Sequence, residues 1–488
     1  MPTDELIVRV RPGETRIVRI DANDRLKDFA VYRETSTDGS GQLGGVYLGR
    51  VKKVVPALDA AFIDMGLDRD AFLGIAEARP QPHMGGGQAR DRISDYLHEG
   101  EAVLVQVMAA ARDDKGAKVS RRISVTGAHC VLTPGDPGVR VSKRIKEDAE
   151  RNRLRTVVMG KLNADEGCVL RSAAQGVSPL TIGHELDLLR TLWGELTARA
   201  ETVTAPALLS GQSTPPVQFL SEGGFSGLAK ITVDDPTMAT QVEAELKRLD
   251  ALPPGGVVRH PASRDVFVDL GVADDVAELL DPRVALKSGG SIIIEETAAV
   301  TAIDVNAGGA RGQDVALATN LEAVKEAARH MRLRNLAGLI VIDIMSVRGE
   351  EARGRIVNVM KEALAFDPAG PHVLGTTKGG LLEVTRPRRR PPLSHILLGP
   401  CPTCGSARAE TPLTVGLAAL DRVLAEVWAA PALIPVLHTT QAIIDALKGQ
   451  AAGALAEMEA KLGQPLDLVQ DETQAPGQFR IQAAENKR

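Results

Sequence analysis

Cysteine is scarce, with four residues in a chain of 488. That number is too small for a disulfide framework in a protein this long and fits a reducing compartment. Aromatic residues make up only 3% of the chain, so any stacking platform for nucleobases must be built from a few identifiable side chains. There is no surplus of positive charge: the formal net charge is −5. Attraction for a polyanion would therefore have to come from local basic patches rather than from the field of the whole molecule. No stretch approaches the roughly 18 apolar residues needed to span a bilayer. The opening "MPTDELIVRVRPGETR" lacks the apolar run of a signal peptide. These absences predict a cytoplasmic protein without a membrane span. What is present, 44% hydrophobic and 25% charged residues, describes an ordinary globular chain. Its length allows about three domains.

Along the chain, residues 1–35 alternate apolar and polar ("ELIVRVRPGETRIVRI") and read as strands. After the turn-rich "TSTDGSGQLGG" comes "VYLGRVKKVVPALDAAFIDMGLDRDAFL" (46–73), then a loop, "RPQPHMGGGQARDR", then "EAVLVQVMAAA" and "AKVSRRISVTG". Short strands at this spacing suggest a small barrel. Helix and strand signals mix from 142 to 205, "STPP" (213–216) breaks the pattern, and "TMATQVEAELKRLD" (237–250) reads as a helix. The block 288–345 predicts strands at 291–296, 299–306 and 338–344. A long helix lies before the last of them, with Leu317, Leu321, Val324, Ala328 and Met331 on one face. This order suggests a mixed sheet covered by helices. Beyond "RPRRRPPL" (386–393) and "CPTC", two helical stretches (412–429 and 439–461) predict a small C-terminal unit whose last 15 or so residues are frayed.

Two strand-like runs end in an acid. "TAIDVNAGGARGQD" carries Asp304 and Asn306, which share one strand face, and "LIVIDIM" carries Asp343 after a run apolar on both faces, as in a buried strand. Acids at the carboxyl ends of sheet strands lie where open α/β sheets place ligands. If the strands are neighbours, the two carboxylates meet in a partly dry site. Their repulsion is then relieved either by a proton or by a cation. A hard divalent ion such as Mg²⁺ needs only one or two protein carboxylates, and the chemistry it implies is phosphodiester hydrolysis. The alternative is that each acid caps a helix or pairs with Arg311, Arg329, Arg332, Arg334 or Arg348.

Cys130 and Cys168 stand alone in apolar stretches and read as core thiols, whereas Cys401 and Cys404 form a C-x-x-C pair. One such pair is half of a tetrahedral Zn²⁺ site, and no second pair exists in the chain. A complete site would draw on another protomer; a redox motif or a plain turn are the alternatives. "RPRRRPP" places four arginines within five residues, either as a solvated linker or as a grip on phosphates. Tyr47, Phe62 and Phe72 fall in the barrel region with Lys52, Lys53 and Lys115, either as core or as a stacking surface for a single strand.

Taken in order, these stretches resemble the ribonuclease E/G family, over nearly the whole chain to about residue 410 and at the length of the family's short form. Four stretches carry the likeness. "VYLGRVKKVVPALDAAFIDMGLDRDAFL" resembles the S1-type RNA-binding barrel, and "EGCVLRSAAQG" the 5′-monophosphate sensor loop. "SGGSIIIEETAAVTAIDVN" with "TNLEAVKEAARHMRLRNLAGLIVID" resembles the DNase I-like catalytic subdomain, and "CPTCG" the zinc-link. The resemblance implies a multidomain α/β protein with an OB-fold S1-type barrel, RNase H-like and DNase I-like subdomains and a small α-rich C-terminal domain. The implied boundaries are 1–38 with 128–215 for the RNase H-like and sensor region, and 39–127 for the barrel. The catalytic subdomain would span 216–398, the zinc-link 399–408 and the last domain 409–488.

The resemblance further implies Mg²⁺ held by Asp304 and Asp343, with Asn306 helping to position water. The 5′-phosphate would be bound by Arg171, Ser172 and Lys378, RNA by Phe62, Phe72 and Lys115, and a shared Zn²⁺ by Cys401 and Cys404 of each of two chains. The activity implied is endonucleolytic cleavage of single-stranded RNA, including rRNA maturation, leaving 5′-phosphate and 3′-hydroxyl ends and stimulated by a 5′-monophosphate. The assembly implied is a zinc-linked homodimer or a homotetramer. The chain departs from the family pattern in several places. Ser346 stands where an Asp is common, Ser172 where Thr is usual and Lys378 where Arg is usual. A basic residue is missing within "MAAARDDKG", the glycine-rich tail after the cysteines is shortened to "GSARAE", and the long scaffold arm is absent. The rival reading is a noncatalytic RNA-binding or ribosome-assembly protein on a degenerate nuclease scaffold, and a third is a DNA phosphodiesterase.

Overall fold

The computed structural model describes residues 3–33, 44–78, 92–109, 116–210, 213–225, 227–309, 313–405 and 408–484. Lys115, Arg311 and most of the two glycine-containing loops around the barrel lie outside the described residues.

The first three strands, Asp4–Arg11, Glu14–Ile20 and Leu26–Arg33, form an antiparallel meander. Two strands from far along the chain complete this sheet. Leu228–Val233 runs parallel to the first strand, and Val257–Arg259 lies outside it. The sequence boundary at 216 is therefore displaced: residues 228–259 belong to the N-terminal sheet, and the acid-bearing sheet begins at Arg283. A parallel pairing between strands so distant in the chain leaves no local signal, because each strand carries only its own apolar face. The helix Pro236–Arg248 covers the sheet, capped by Asp235 accepting from the Met238 amide at 2.7 Å.

The barrel expected near 46–120 is present. Strands Val46–Val55, Ala60–Asp64, Ala71–Gly74, Lys118–Ser120 and Ala102–Ala109 pair in that order, and the first closes on the last. Tyr47 is 4% exposed in its interior and is a core residue. Next comes a four-stranded sheet with order Gly138–Val141, Glu166–Leu170, Cys130–Pro134 and Val125–Thr126, packed by helices Asp148–Met159 and Pro179–Thr202. Cys130 and Cys168 are buried there. A hydrogen bond to Cys168 and burial push the Cys130 thiol well above its usual range, which suits inert core thiols.

The acid-bearing sheet has six strands, with order Arg283–Ala285, Ser291–Glu296, Val300–Asn306, Gly338–Asp343, Leu381–Arg386 and His372–Thr376. It is mixed, as expected: only Val300–Asn306 and Gly338–Asp343 are parallel. Helices Gln313–Leu333 and Glu350–Leu364 cover one face, burying Ile303, Ile340, Ile342, Leu382 and Val384 against Val324, Ala328, Met331 and Met360. The other face is open. Leu339 and Val341 are only half-buried, so the second acid strand is not buried on both sides.

The C-terminal unit is helix-rich as expected but also carries a small sheet, and its last described residues, read as frayed, include the strand Phe479–Ala483. Pro435–Thr439 pairs with Asp467–Gln470 and with Phe479–Ala483, and this sheet packs against helices Pro412–Ala429, Gln441–Lys448 and Ala452–Leu462. The last two helices fall within the stretch read as one, parted at Gly449. Short polar edge strands carry weak alternation, and their pairing supplies the order. Among the described residues no helix is long and apolar enough to cross a membrane.

Candidate active site

Asp304 and Asp343 are Cα partners in the one parallel strand pair of the six-stranded sheet. Adjacent strands lie about 4.8 Å apart, and partnered residues point to the same face, so the two carboxylates stand side by side. That face is the open one: Asp304, Asn306 and Asp343 are all exposed. The expected partly dry site is therefore a solvent-facing one, because helices cover only the opposite face. No hydrogen bond or ion pair to an arginine is present at either acid among the described residues. Arg329 and Arg332 instead pair with Glu326 and Asp28. Asn306 Nδ2 donates to Asp304 Oδ2 at 2.6 Å, which orients the carboxylate and leaves the amide oxygen as an acceptor.

The donor set fits a hard divalent cation, since every candidate ligand is an oxygen. Among the described residues no trio of His, Cys, Asp or Glu forms a metal cage. A pair suffices for an ion whose other positions are filled by water and substrate phosphate.

Two features that the sequence did not reveal hold this edge in place. Asn320 is fully buried on the long helix. Its Nδ2 donates to Met345 O at 2.8 Å, and its Oδ1 accepts from Met345 N at 2.9 Å. It thereby clamps the chain two residues past Asp343. The available signal was a polar residue set among Leu317, Leu321 and Val324 on the apolar face. The glycines around Asp304 answer to close backbone approach: a Cβ on Gly290 would sit 2.4 Å from Asn306 O. Ser346 is exposed just beyond the clamp.

A second cluster forms where the four-stranded sheet meets the N-terminal one. Arg171 follows strand Glu166–Leu170, and Ser172 opens the 3-10 turn Ser172–Ala174. The Arg171 guanidinium donates to Gly127 O at 2.9 Å and Ser221 O at 3.2 Å and lies over the Phe225 ring. Burial pulls its pKa down; Glu185 opposes this, and Arg389 and Arg144 add to it. Lys378 is not joined to Arg171 or Ser172 by any hydrogen bond among the described residues. It sits in the turn before Leu381, the Cα partner of Asp343, and so belongs to the edge that carries the acids.

The arginine run is not a solvated linker throughout. Arg386 is buried and bound to Asp367 at 2.7 Å. Arg390 pairs with Glu222 at 3.0 Å and lies over the Tyr32 and Phe219 rings.

On the barrel, Phe62 and Phe72 are cross-strand partners in edge-to-face contact at 6.1 Å, both half-buried. Lys53 is the partner of Phe62, and Lys118 the partner of Phe72. A Lys–Phe–Phe–Lys row thus crosses one face, with Lys118 as a member that the sequence pattern did not single out. Cys401 and Cys404 flank a tight turn, with Gly405 N bonded to Cys401 O at 2.8 Å. This turn follows strand Leu398–Pro400, which pairs with Arg408–Glu410. Cys401 is half-buried and Cys404 exposed, so the two-thiol half-site faces outward.

Residues 124–389 match the model of the Ribonuclease E/G family. The chain is 32% identical over 479 residues to Ribonuclease G of Escherichia coli (strain K12), with 96% of each chain covered. It is 30% identical over 492 residues to Ribonuclease G of Haemophilus influenzae, with 99% of each covered. To Ribonuclease E of Synechocystis sp. it is 32% identical over 458 residues, covering 91% of this chain and 66% of that protein.

Proposed function

The chain belongs to the ribonuclease E/G family and is an endoribonuclease, and we propose that it cleaves single-stranded RNA at Asp304 and Asp343 with Mg²⁺, leaving 5′-phosphate and 3′-hydroxyl ends. The observation that carries this reading is the register of the parallel strand pair, which sets the two acids directly opposite each other. Asp304 and Asp343 would hold the ion, which when bound supplies Lewis-acid polarisation of the scissile phosphodiester. Asn306 keeps the Asp304 carboxylate oriented and offers its amide oxygen to the attacking water. The open sheet face leaves room for a polymer to lie across the acids.

The barrel, read as S1-type, would hold the strand along the Lys53–Phe62–Phe72–Lys118 row, bases on the rings and phosphates on the ammonium groups. Arg171 and Ser172 would hold a 5′-terminal monophosphate, and this contact would favour substrates carrying one. Cys401 and Cys404 would hold half of a Zn²⁺ site completed by a second chain, making a dimer or, from two such dimers, a tetramer. The substrates would be cytoplasmic RNAs, including rRNA precursors.

The test is cleavage of a 5′-monophosphorylated oligoribonucleotide with and without Mg²⁺, with both product ends mapped. Wild type should cut only with the ion, and Asp304→Asn should lose at least about a thousandfold in kcat, some 4 kcal/mol of transition-state stabilisation. RNA binding should survive this change. Retained cleavage by Asp304→Asn would reject the assignment. Mg²⁺-independent binding without any cleavage by wild type would favour the noncatalytic alternative that Ser346 suggests.

A further inference from the structure

The edge strand of the six-stranded sheet, Arg283–Ala285, carries a cation onto the acid face. Register fixes this: Arg283 is the partner of Ile293, Ile293 of Asp304, and Asp304 of Asp343. Partnered residues point to one side, so Arg283 stands in the row of the two acids, its backbone about 10 Å from that of Asp304. The face is otherwise negative. Glu295 and Glu383 occupy it in the next row, as partners of Ala302 and Val341. One divalent ion would offset only part of the charge of these carboxylates, and an RNA strand adds a negative charge with every phosphate.

Arg283 is exposed, and its guanidinium makes no hydrogen bond or ion pair among the described residues. Arg329, Arg332 and Arg386 of the same unit are each tied to a carboxylate. The backbone beneath Arg283 is held by the buried Arg334. Arg334 donates to Asp281 O at 2.6 Å, and Asp281 Oδ1 accepts from the Arg283 amide at 2.8 Å. At the other end of this short strand the loop 287–290 is fastened to the long helix: Glu322 accepts from the Lys287 and Ser288 amides at 2.6 and 3.2 Å. The loop also lies against the turn after Asn306, since a Cβ on Gly308 would sit 2.6 Å from Gly289 O. Lys287 is exposed there, and its ammonium too has no partner among the described residues.

We propose that Arg283 and Lys287 are positioning residues that hold backbone phosphates near the scissile one, on the side of Asp304 away from Asp343. Neither touches the reacting atoms: Ile293 stands between Arg283 and Asp304 in the row. Ile293 is apolar and half-buried, so it offers the guanidinium no partner and leaves it to the ligand. A guanidinium fork and an ammonium are groups that grip a phosphodiester without reading its base. Because the backbone under both side chains is already fixed, the grip sets where the strand lies over the acids. The inference rests on the proposed cleavage at Asp304 and Asp343 and deepens it by naming the side of the pair on which the substrate backbone is held.

The test uses the full-length protein with Mg²⁺ and a 5′-hydroxyl oligoribonucleotide with one mapped cleavage site, so that a terminal phosphate plays no part. Arg283→Met and Lys287→Met should each raise KM by about tenfold and leave kcat within about twofold, as loss of a charge-assisted contact to a non-reacting phosphate does. Each should also lessen the slope of log KM against log salt by about 0.7, which a merely structural role would not do. Arg283→Lys should recover most of the lost affinity. Single uncharged methylphosphonate linkages then locate the contact. One linkage near the scissile phosphate should cost wild type about tenfold in kcat/KM and cost Arg283→Met nothing further. Both side chains are exposed and unpartnered, so the variants should keep the wild-type unfolding midpoint. If wild type cuts while both methionine variants keep its KM and salt slope, the inference is overturned and the proposed function stands. If wild type does not cut, or Asp304→Asn cuts equally well, both fall.

Discussion

His330 illustrates how single residues of the acid-bearing unit are held. It sits on the helix Gln313–Leu333 at 5% exposure, and its Nδ1 accepts from Arg334 Nε at 3.0 Å. Burial first, then Arg334 and Arg329, push its pKa from the ordinary 6.5 down to about 2. The imidazole is neutral in the fold, and the unfolded chain takes up a proton below pH 6.5 that the fold refuses. The contribution is therefore complete above 6.5 and lost as the pH falls towards 2, at about 1.4 kcal/mol per pH unit. Denaturation midpoints measured from pH 7 to 5.5 should fall in wild type and fall less in His330→Gln. Equal slopes would remove His330 from the account. Asp304 and Asp343 are a different case: both are exposed, and their significance lies in position rather than in burial.

At the scale of elements, the acid edge depends on how strand and helix are joined. The strand ending at Asp343 is tied to the helix by the two Asn320–Met345 hydrogen bonds. Asn320→Ala removes both and leaves a backbone amide and carbonyl in need of partners, which costs about 1–3 kcal/mol. The unfolding midpoint should drop accordingly. Because the clamp acts on the segment beyond Asp343, kcat should fall more than KM rises. A variant with wild-type kcat would mean that the clamp is structural only. The Arg386–Asp367 pair does comparable work at the other end of its strand, where Arg386 also donates to Asn335 Oδ1 and Leu336 O. A run of arginines that looks like a linker thus begins as a buried staple and ends as the lining of a cavity.

At the scale of the whole molecule, the units are joined by contacts between distant parts of the chain. The C-terminal helix Pro412–Ala429 docks on the first strand through Asp421, which bonds Arg9 and Arg11. The turn at Gly13 approaches so closely that a Cβ there would lie 2.4 Å from Ala454 Cβ. Assembly beyond the single chain follows from the proposed zinc link. Two thiols per chain can fill only half of a tetrahedral site, so purified protein should hold about one zinc per two chains. Cys401→Ser should lose both the metal and the larger species in sedimentation. A zinc-free wild-type monomer would exclude the link.

Much was legible in the sequence because it is written in local periodicity. The barrel strands, the amphipathic helix carrying Val324, Ala328 and Met331, and the two runs ending in Asp304 and Asp343 are all readable from the residues alone, since burial on one face imposes a repeat on the residues of one element. The C-x-x-C turn was legible for the same reason, its chemistry and spacing being contained in a few residues. Pairing between elements was not. That Asp304 faces Asp343, that strand Leu228–Val233 joins the N-terminal sheet, that Phe479–Ala483 is a strand, and that Lys118 rather than a nearer lysine extends the Phe62–Phe72 row all depend on register. Side-chain pattern states which face a residue takes. Only the packed structure, in which backbone hydrogen bonds select one partner among many apolar equivalents, decides which residue stands opposite.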